Sequence, residues 1–348
     1  MKQLILSIVV SLLCIIGSTA IADEWKAIEP LPDREGFAGS FAGVSHGVLL
    51  VAGGANFPEK GPAEGGVKVW YDQVFALDAV EGEWRIAGKL PRPLGYGVSV
   101  TYGNSVVCVG GSDAEQHYAD AFRLEWRSER LQLTNLPSLP QSVANASGAL
   151  VGNDLYIVGG QAAPSSTEAL STVWKIDLSS PSPRWQSLPK LPGQGRIFAV
   201  TASFDGKFWV AGGAGLRQSP EGKPLRDYLT DAYCFDTKTR WRRIADLPQP
   251  VTAAASPGPN DGKGFFVLGG DDGSQVGVNA AEHRGFSNQA LHYDFQANRW
   301  AVVGSIPAPR VTLPCVNWQG AWVLPSGERL PGVRSPEVWI WAEKTKHE

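Results

Sequence analysis

Glu328 and Arg334 stand six residues apart in the stretch Gly327-Glu328-Arg329-Leu330-Pro331-Gly332-Val333-Arg334. A Pro-Gly turn between a carboxylate and a guanidinium can fold the two side chains toward each other. Arginine holds a carboxylate or a row of hydroxyls in a fixed fork, and a glutamate whose surroundings raise its pKa can relay a proton. The pair would suit proton transfer on a small polar or acidic molecule. An ion pair that ties two loop segments together is the other reading of the same spacing.

Other chemistries find little support. Five histidines are scattered with no His-x-His or His-x3-His pair, so neither a metal centre nor a copper oxidase constellation is indicated, and no cofactor is called for. Of four cysteines, Cys108, Cys234 and Cys315 lie inside apolar runs and read as buried thiols. The formal charge is −3, and no basic run or aromatic-interleaved Lys/Arg stripe is present, which argues against a nucleic-acid partner. The sialidase Ser-x-Asp-x-Gly-x-Thr-Trp boxes are absent as well, which disfavours hydrolysis.

The elements that must position Glu328 and Arg334 are legible from repeats. Gly-Gly pairs end short apolar runs at Gly53-Gly54, Gly110-Gly111, Gly159-Gly160, Gly212-Gly213 and Gly269-Gly270, with second glycines 57, 49, 53 and 57 residues apart. A period near fifty with this ending marks four-stranded blades of a kelch-type propeller. A further step of 57 from Gly270 reaches Gly327, so the sixth repeat carries Ser326-Gly327-Glu328 where the others carry Gly-Gly.

The chain therefore reads as all-β, a six-bladed kelch-type β-propeller over residues 23–348, with blades near 36–90, 95–139, 145–191, 196–247, 251–306 and 311–342 plus 23–32. Trp84, Trp185, Trp241 and Trp300 recur in the fourth strands, each followed by Leu-Pro or Ile-Pro, and are expected to pack between blades. Trp25 with Leu31-Pro32 repeats that pattern. The N-terminal strand is thus expected to complete the C-terminal blade, removing the free sheet edge.

Residues 1–22 read as a separate segment. Lys2, the apolar stretch Leu4 to Ile16 and Ala20-Ile21-Ala22 fit a cleaved secretory signal, with a lipoprotein anchor on Cys14 disfavoured by Leu13 and a retained anchor helix the remaining option. The expected location is periplasmic or secreted, with no membrane attachment after cleavage. Oligomeric state is left open.

Short turns join first and second strands, whereas long loops follow the glycine pairs. Those loops and the starts of the innermost strands share one face around the channel. The candidates on that face are Arg34, Arg196, Arg310, Asn56, Glu64, Lys68, Gln161, Arg217, Asp271, His283, Glu328 and Arg334. Arg34, Arg196 and Arg310 would form a positive ring round the channel or inter-blade salt bridges. For Glu64, Lys68 and His283 a solvated loop is the simpler reading.

Gly36-Phe37-Ala38-Gly39, VAGGANFPEKGPAEGG, Gly95-Tyr96-Gly97-Val98-Ser99 and PSGERLPGVR together resemble the cyclically permuted mutarotases, a family related to bacterial N-acetylneuraminate epimerase. The resemblance runs over essentially the whole mature chain, with the Glu/Arg stretch in the last repeat rather than mid-chain. It implies interconversion of the α and β anomers of N-acetylneuraminate without a cofactor. It places the family's catalytic pair on Glu328 and Arg334. On this reading Glu328 is expected to be the acid/base and Arg334 to bind the sugar carboxylate, and Arg34, Arg196, Arg310, Asn56 and Glu64, from their place on the loop face, are expected as further substrate contacts. A non-catalytic kelch propeller binding a glycan or protein, or a mutarotase for a different sugar, is the alternative.

Overall fold

A computed structural model describes residues 25–278 and 281–342. The expected export signal lies outside them. The chain is all-β and forms six blades round a central channel. Blade 1 shows the plan, with strands Phe41–Ser45, Val48–Ala52, Gln73–Leu77 and Arg85–Lys89 hydrogen-bonded in chain order from the channel outward.

The second strands are apolar throughout because both faces are buried. Leu49 and Val51 point into the seam shared with blade 6, beside Val316 and Val338. Leu50 and Ala52 point into the seam shared with blade 2, beside Cys108 and Phe122. Period-two alternation thus feeds two cores at once. The expected packing role of the outer tryptophans holds. Trp84, Trp185, Trp241 and Trp300 donate their indole N–H to carbonyls of Glu29, Pro137, Pro189 and Ala245 in the preceding blade, at 2.7 to 2.9 Å.

Ring closure follows the expectation. Strand Trp25–Ile28 pairs antiparallel with Val338–Trp341, so blade 6 has its outermost strand from the other end of the chain. Trp25 and Trp341 stack at 5.9 Å across that join.

The fifth blade departs from the four-strand plan. It contains Gly264–Leu268, Gln289–Asp294 and Arg299–Ser305 only. Its innermost segment carries Pro257 and Pro259, which have no N–H to donate to a ladder, and makes only isolated bridges from Ser256 and Asn260.

The glycine pairs are the joints between blades. The N–H of each second glycine at 54, 111, 160 and 213 donates to a carbonyl of the next blade, on Leu94, Val143, Arg196 and Val251, at 2.8 Å. The first glycine passes directly over that carbonyl. At Gly53 the backbone has φ +61°, and a Cβ would sit 2.2 Å from the Leu94 oxygen. Gly53→Val should therefore destabilise the protein by about 3 kcal/mol or more, read as a lowered urea midpoint with unchanged slope.

The sixth joint keeps this geometry with other atoms. Gly327 N–H donates to the Phe37 carbonyl at 2.9 Å, while Ser326, at φ +60°, accepts the Phe37 N–H on its hydroxyl at 2.6 Å. Ser326 is wholly buried.

One residue per blade then turns inward in a left-handed conformation: Gly39, Tyr96, Asn145, Phe198, Ala253 and Thr312, with φ between 54° and 67°. Each donates its N–H to the carbonyl of its counterpart in the preceding blade, at 2.7 to 2.9 Å, and Gly39 closes the circle on Thr312. Five of the six are not glycine. Such a conformation costs about 1–3 kcal/mol and persists where surrounding bonds over-determine it, as this hydrogen-bonded circle does.

Candidate active site

The residue after each glycine pair is where the blades offer side chains to the channel. Ala55, Ser112, Gln161, Ala214, Asp271 and Glu328 are equivalent, each bridged to the start of an innermost segment. Of these, Ser112, Gln161, Asp271 and Glu328 line a cavity of about 530 Å³ whose floor includes Tyr96, Asn145, Phe198, Ala253 and Thr312 from the hydrogen-bonded circle. Three hairpins rise from this level: Ala55–Asn56 with Val69–Trp70, Ala214–Gln218 with Pro224–Tyr228, and Glu328–Leu330 with Val333–Arg334.

Glu328 and Arg334 meet as the sequence spacing suggests. They are cross-strand partners, and Arg334 Nη1 lies 2.8 Å from Glu328 Oε2. The Pro-Gly turn adds a second hold, because the Gly332 N–H donates to Glu328 Oε1 at 2.8 Å. Gly332 has φ +80°, and a Cβ there would meet the Pro62 ring at 2.3 Å, so the hairpin tip rests against the blade 1 loop. Arg334 is 4% exposed in its side chain and Glu328 18%. Arg334 Nε–H donates to the Ala55 carbonyl at 3.4 Å, and the guanidinium lies over Phe57. The contact with Glu328 is electrostatic: Nη1 is buried and finds no well-aligned hydrogen-bond acceptor among the described residues.

Lys68 joins this pair. Its Nζ sits 4.0 Å from the Tyr96 ring centre and 4.5 Å from that of Trp70, and the half-buried side chain lines the cavity. Burial and the Arg334 charge lower its pKa to about 8, against the opposing pull of Glu328. Tyr96 is pushed up to about 12, mainly by burial.

Because the folded value for Lys68 lies below the unfolded one, holding the ammonium charged costs stability fully below pH 8, and the cost fades as pH rises toward 10.5. Lys68→Met should then be more stable than the parent by about 1–3 kcal/mol at pH 7 and equal to it above pH 10.5. Denaturant melts at the two pH values would test this; equal stability at pH 7 would contradict it.

The other candidates fall into two groups. Gln161 and Asp271 line the cavity, where Gln161 Oε1 accepts from Asn145 and Asp271 accepts the Tyr228 hydroxyl at 3.0 Å. His283 also lines it, set edge-on to Phe286 at 5.4 Å between ring centres.

Arg34, Arg196, Arg310, Asn56, Glu64 and Arg217 are not among its lining residues. Arg196 binds Asp231 through both nitrogens, at 3.0 and 2.8 Å, and the Gly212 carbonyl at 2.9 Å. Arg310 takes the matching place in blade 6, with Nη2 on the Glu337 carboxylate and Nη1 on the Glu337 and Ser326 carbonyls. These bridges lie within a blade, neither between blades nor round the channel. Arg34 is exposed and paired with its neighbour Glu35, and Arg217 is paired with Asp227 at 2.8 Å. Buried Asn56 is used up on Asp33, Gly36 and Tyr71. Glu64 ends an exposed 3₁₀ turn.

Trp70, Asn145, Phe198, Arg226 and His117 line the cavity without having stood out in the sequence. Arg226 lies on the blade 4 hairpin over the Phe198 ring. Burial lowers the His117 pKa, partly offset by its hydrogen bond with the Gln161 carbonyl. Among the described residues, no group of three or more His, Cys, Asp or Glu could hold a metal, and Cys108, Cys234 and Cys315 are buried and unpaired.

Comparison with known proteins bears on residues 16–133 and 142–192. A family model described as N-acetylneuraminate epimerase matches residues 16–133, and one described as Kelch motif matches residues 142–192. The first stretch holds Lys68, Trp70 and Tyr96 of the cavity; Glu328 and Arg334 lie beyond it. N-acetylneuraminate epimerase of Yersinia pestis (strain Pestoides F) is 41% identical over 129 residues, covering 32% of each chain. That of Salmonella enteritidis PT4 (strain P125109) is 50% identical over 91 residues, 24% of this chain and 23% of its own. The matches thus span about a third or less of the relatives' length. The chain is a six-bladed kelch-type propeller that resembles the N-acetylneuraminate epimerases over about a third of its length.

Proposed function

We propose that the protein is an N-acetylneuraminate epimerase, a mutarotase that interconverts the α and β anomers of this acidic sugar. The carrying observation is the Glu328–Arg334 contact at 2.8 Å on the wall of a polar cavity large enough for a monosaccharide. The epimerase names of the partial relatives supply the substrate.

Glu328 takes the proton from the anomeric hydroxyl and, as the acid so formed, delivers it to the ring oxygen as the bond between that oxygen and the anomeric carbon breaks. The open-chain ketone forms. Rotation about the adjoining carbon–carbon bond presents its other face, and the reverse transfers close the ring. One carboxyl that gives and takes a proton is enough for both directions. Arg334 and the Gly332 N–H fix its two oxygens, so that little freedom is lost at the moment of transfer.

The test is proton NMR of freshly released α-N-acetylneuraminate. Equilibration faster with the protein than in buffer, and lost in Glu328→Gln, supports the reading. Equilibration at the spontaneous rate would leave a different sugar, or a propeller that only binds, as the better account. Residues 1–22 are proposed to be a cleaved export signal that delivers the protein to the periplasm or medium. The secreted form is then expected to begin at Asp23, and a cell-retained protein keeping Met1 would oppose this.

A further inference from the structure

Lys68 has binding capacity that the protein itself does not use, and Arg334 and Tyr96 beside it use theirs only in part. Lys68 Nζ has no ion pair or hydrogen bond among the described residues, only the two aromatic faces. Arg334 Nη1 is held 2.8 Å from Glu328 without a well-aligned hydrogen bond, and the buried Tyr96 hydroxyl has no partner of good geometry, only the neighbouring Arg334. All three line the same side of the cavity as Glu328. Two cations therefore share one carboxylate, and they destabilise each other, since Arg334 is among the causes that lower Lys68. The protein holds this unneutralised charge in place by stacking Lys68 on Trp70 and Tyr96, and Arg334 on Phe57.

An anion placed here would neutralise it, and the reacting position restricts which anion. If Glu328 acts at an anomeric hydroxyl, a group held by Lys68 and Arg334 must be attached at or next to the anomeric carbon. A 2-keto-acid sugar has its carboxylate on that carbon. An aldose has a hydrogen there and would leave both cations unneutralised. Arg226, on the blade 4 hairpin across the channel from blade 1, is placed for a more distant part of the sugar.

We propose that Lys68 and Arg334 form a carboxylate subsite beside Glu328, with the Tyr96 hydroxyl as a further donor, and that Lys68 selects sugars bearing a carboxylate on the anomeric carbon. This rests on the mutarotase reading for the placement of the anomeric carbon, but binding measurements test it without turnover. The probes are the α-methyl glycoside of N-acetylneuraminate, which cannot open its ring, and its methyl ester.

By calorimetry the wild type should bind the free acid about ten- to a hundred-fold more tightly than the ester, the range of a charge-assisted hydrogen bond. Lys68→Met should lose that preference and leave ester binding unchanged, while Lys68→Arg should keep it. The groups facing Lys68 are Arg334 and Glu328 from the blade 6 hairpin and Tyr96 from blade 2. With these fixed, acid affinity of the wild type should be level below pH 8 and fall above it as the ammonium deprotonates, and Lys68→Arg should extend the level region upward.

Equal binding of acid and ester by wild type, acid binding by folded Lys68→Met at wild-type strength, or binding of neither probe would overturn the subsite. The two readings fail separately. Acid-selective binding without faster anomer exchange would sink the epimerase and keep the subsite, whereas exchange of free N-acetylneuraminate and of its methyl ester, both with the anomeric hydroxyl unblocked, at equal rates would do the reverse.

Discussion

Glu328→Gln is expected to slow anomer exchange by about 10²–10⁴-fold, down to the spontaneous rate, in a protein that stays folded. Gln matches the shape of Glu and keeps an oxygen that can accept the Gly332 N–H, so the hairpin retains its turn. What it loses is the capacity to take up a proton. The loss should fall on kcat. Removing a negative charge beside Lys68 and Arg334 favours an anionic substrate, so KM should stay level or drop. Arg334 is buried, but the Gln oxygen can still face its guanidinium, so thermal stability should fall by less than in Arg196→Met. If Glu328 and Arg334 were only a strap between strands, the result would invert, with a lower Tm and exchange preserved.

The second large effect concerns Arg196 and should fall on stability alone. Arg196→Met removes a guanidinium whose side chain is fully buried, leaving Asp231 without its charged partner and the Gly212 carbonyl without its guanidinium donor. Stranding one member of a buried pair costs about 3–5 kcal/mol, or roughly 10 °C in Tm for a chain of this size. Burial alone would raise the Asp231 pKa, but the Arg196 hydrogen bonds and charge outweigh it and hold the carboxyl below its ordinary value. A depressed carboxyl contributes stability at neutral pH that is lost as pH falls through the carboxylate range. Acid should therefore weaken the wild type and, by protonating the stranded Asp231, relieve the variant, narrowing the gap between them. Well below the variant's Tm, kcat/KM should match wild type, since Arg196 does not line the cavity. A tenfold loss in kcat/KM with an unchanged Tm would return Arg196 to the substrate side.

Arg196 also shows where the sequence stops being informative. Gly-Gly spacing, the outer tryptophans and the displaced N-terminal strand are local and periodic, so the blades and their closure could be read directly. Glu328 and Arg334 could be read because one tight turn joins them. Arg196 and Arg310 look alike from the sequence whether they face the channel or their own blade. The deciding partners, Asp231 and Glu337, come 35 and 27 residues later, just before the third strands. The fifth blade lost its inner strand to prolines that the repeat pattern did not weigh. Lys68 and Trp70 stand two apart in an extended segment, which puts them on one face, but the Tyr96 ring that completes their stack comes from another blade.

The circle formed by Gly39, Tyr96, Asn145, Phe198, Ala253 and Thr312 has an electrical consequence. Every member donates to the blade before it and accepts from the blade after it, so the six bond dipoles run head to tail round a closed loop. The components of such vectors in the plane of the ring cancel, so the circle gives the cavity floor no net dipole in that plane. A helix terminus at the same place would impose a fixed partial charge on whatever bound above it. Here no helix end points at the cavity among the described residues, so the charges nearest a bound sugar are those of side chains such as Lys68, Glu328 and Arg334.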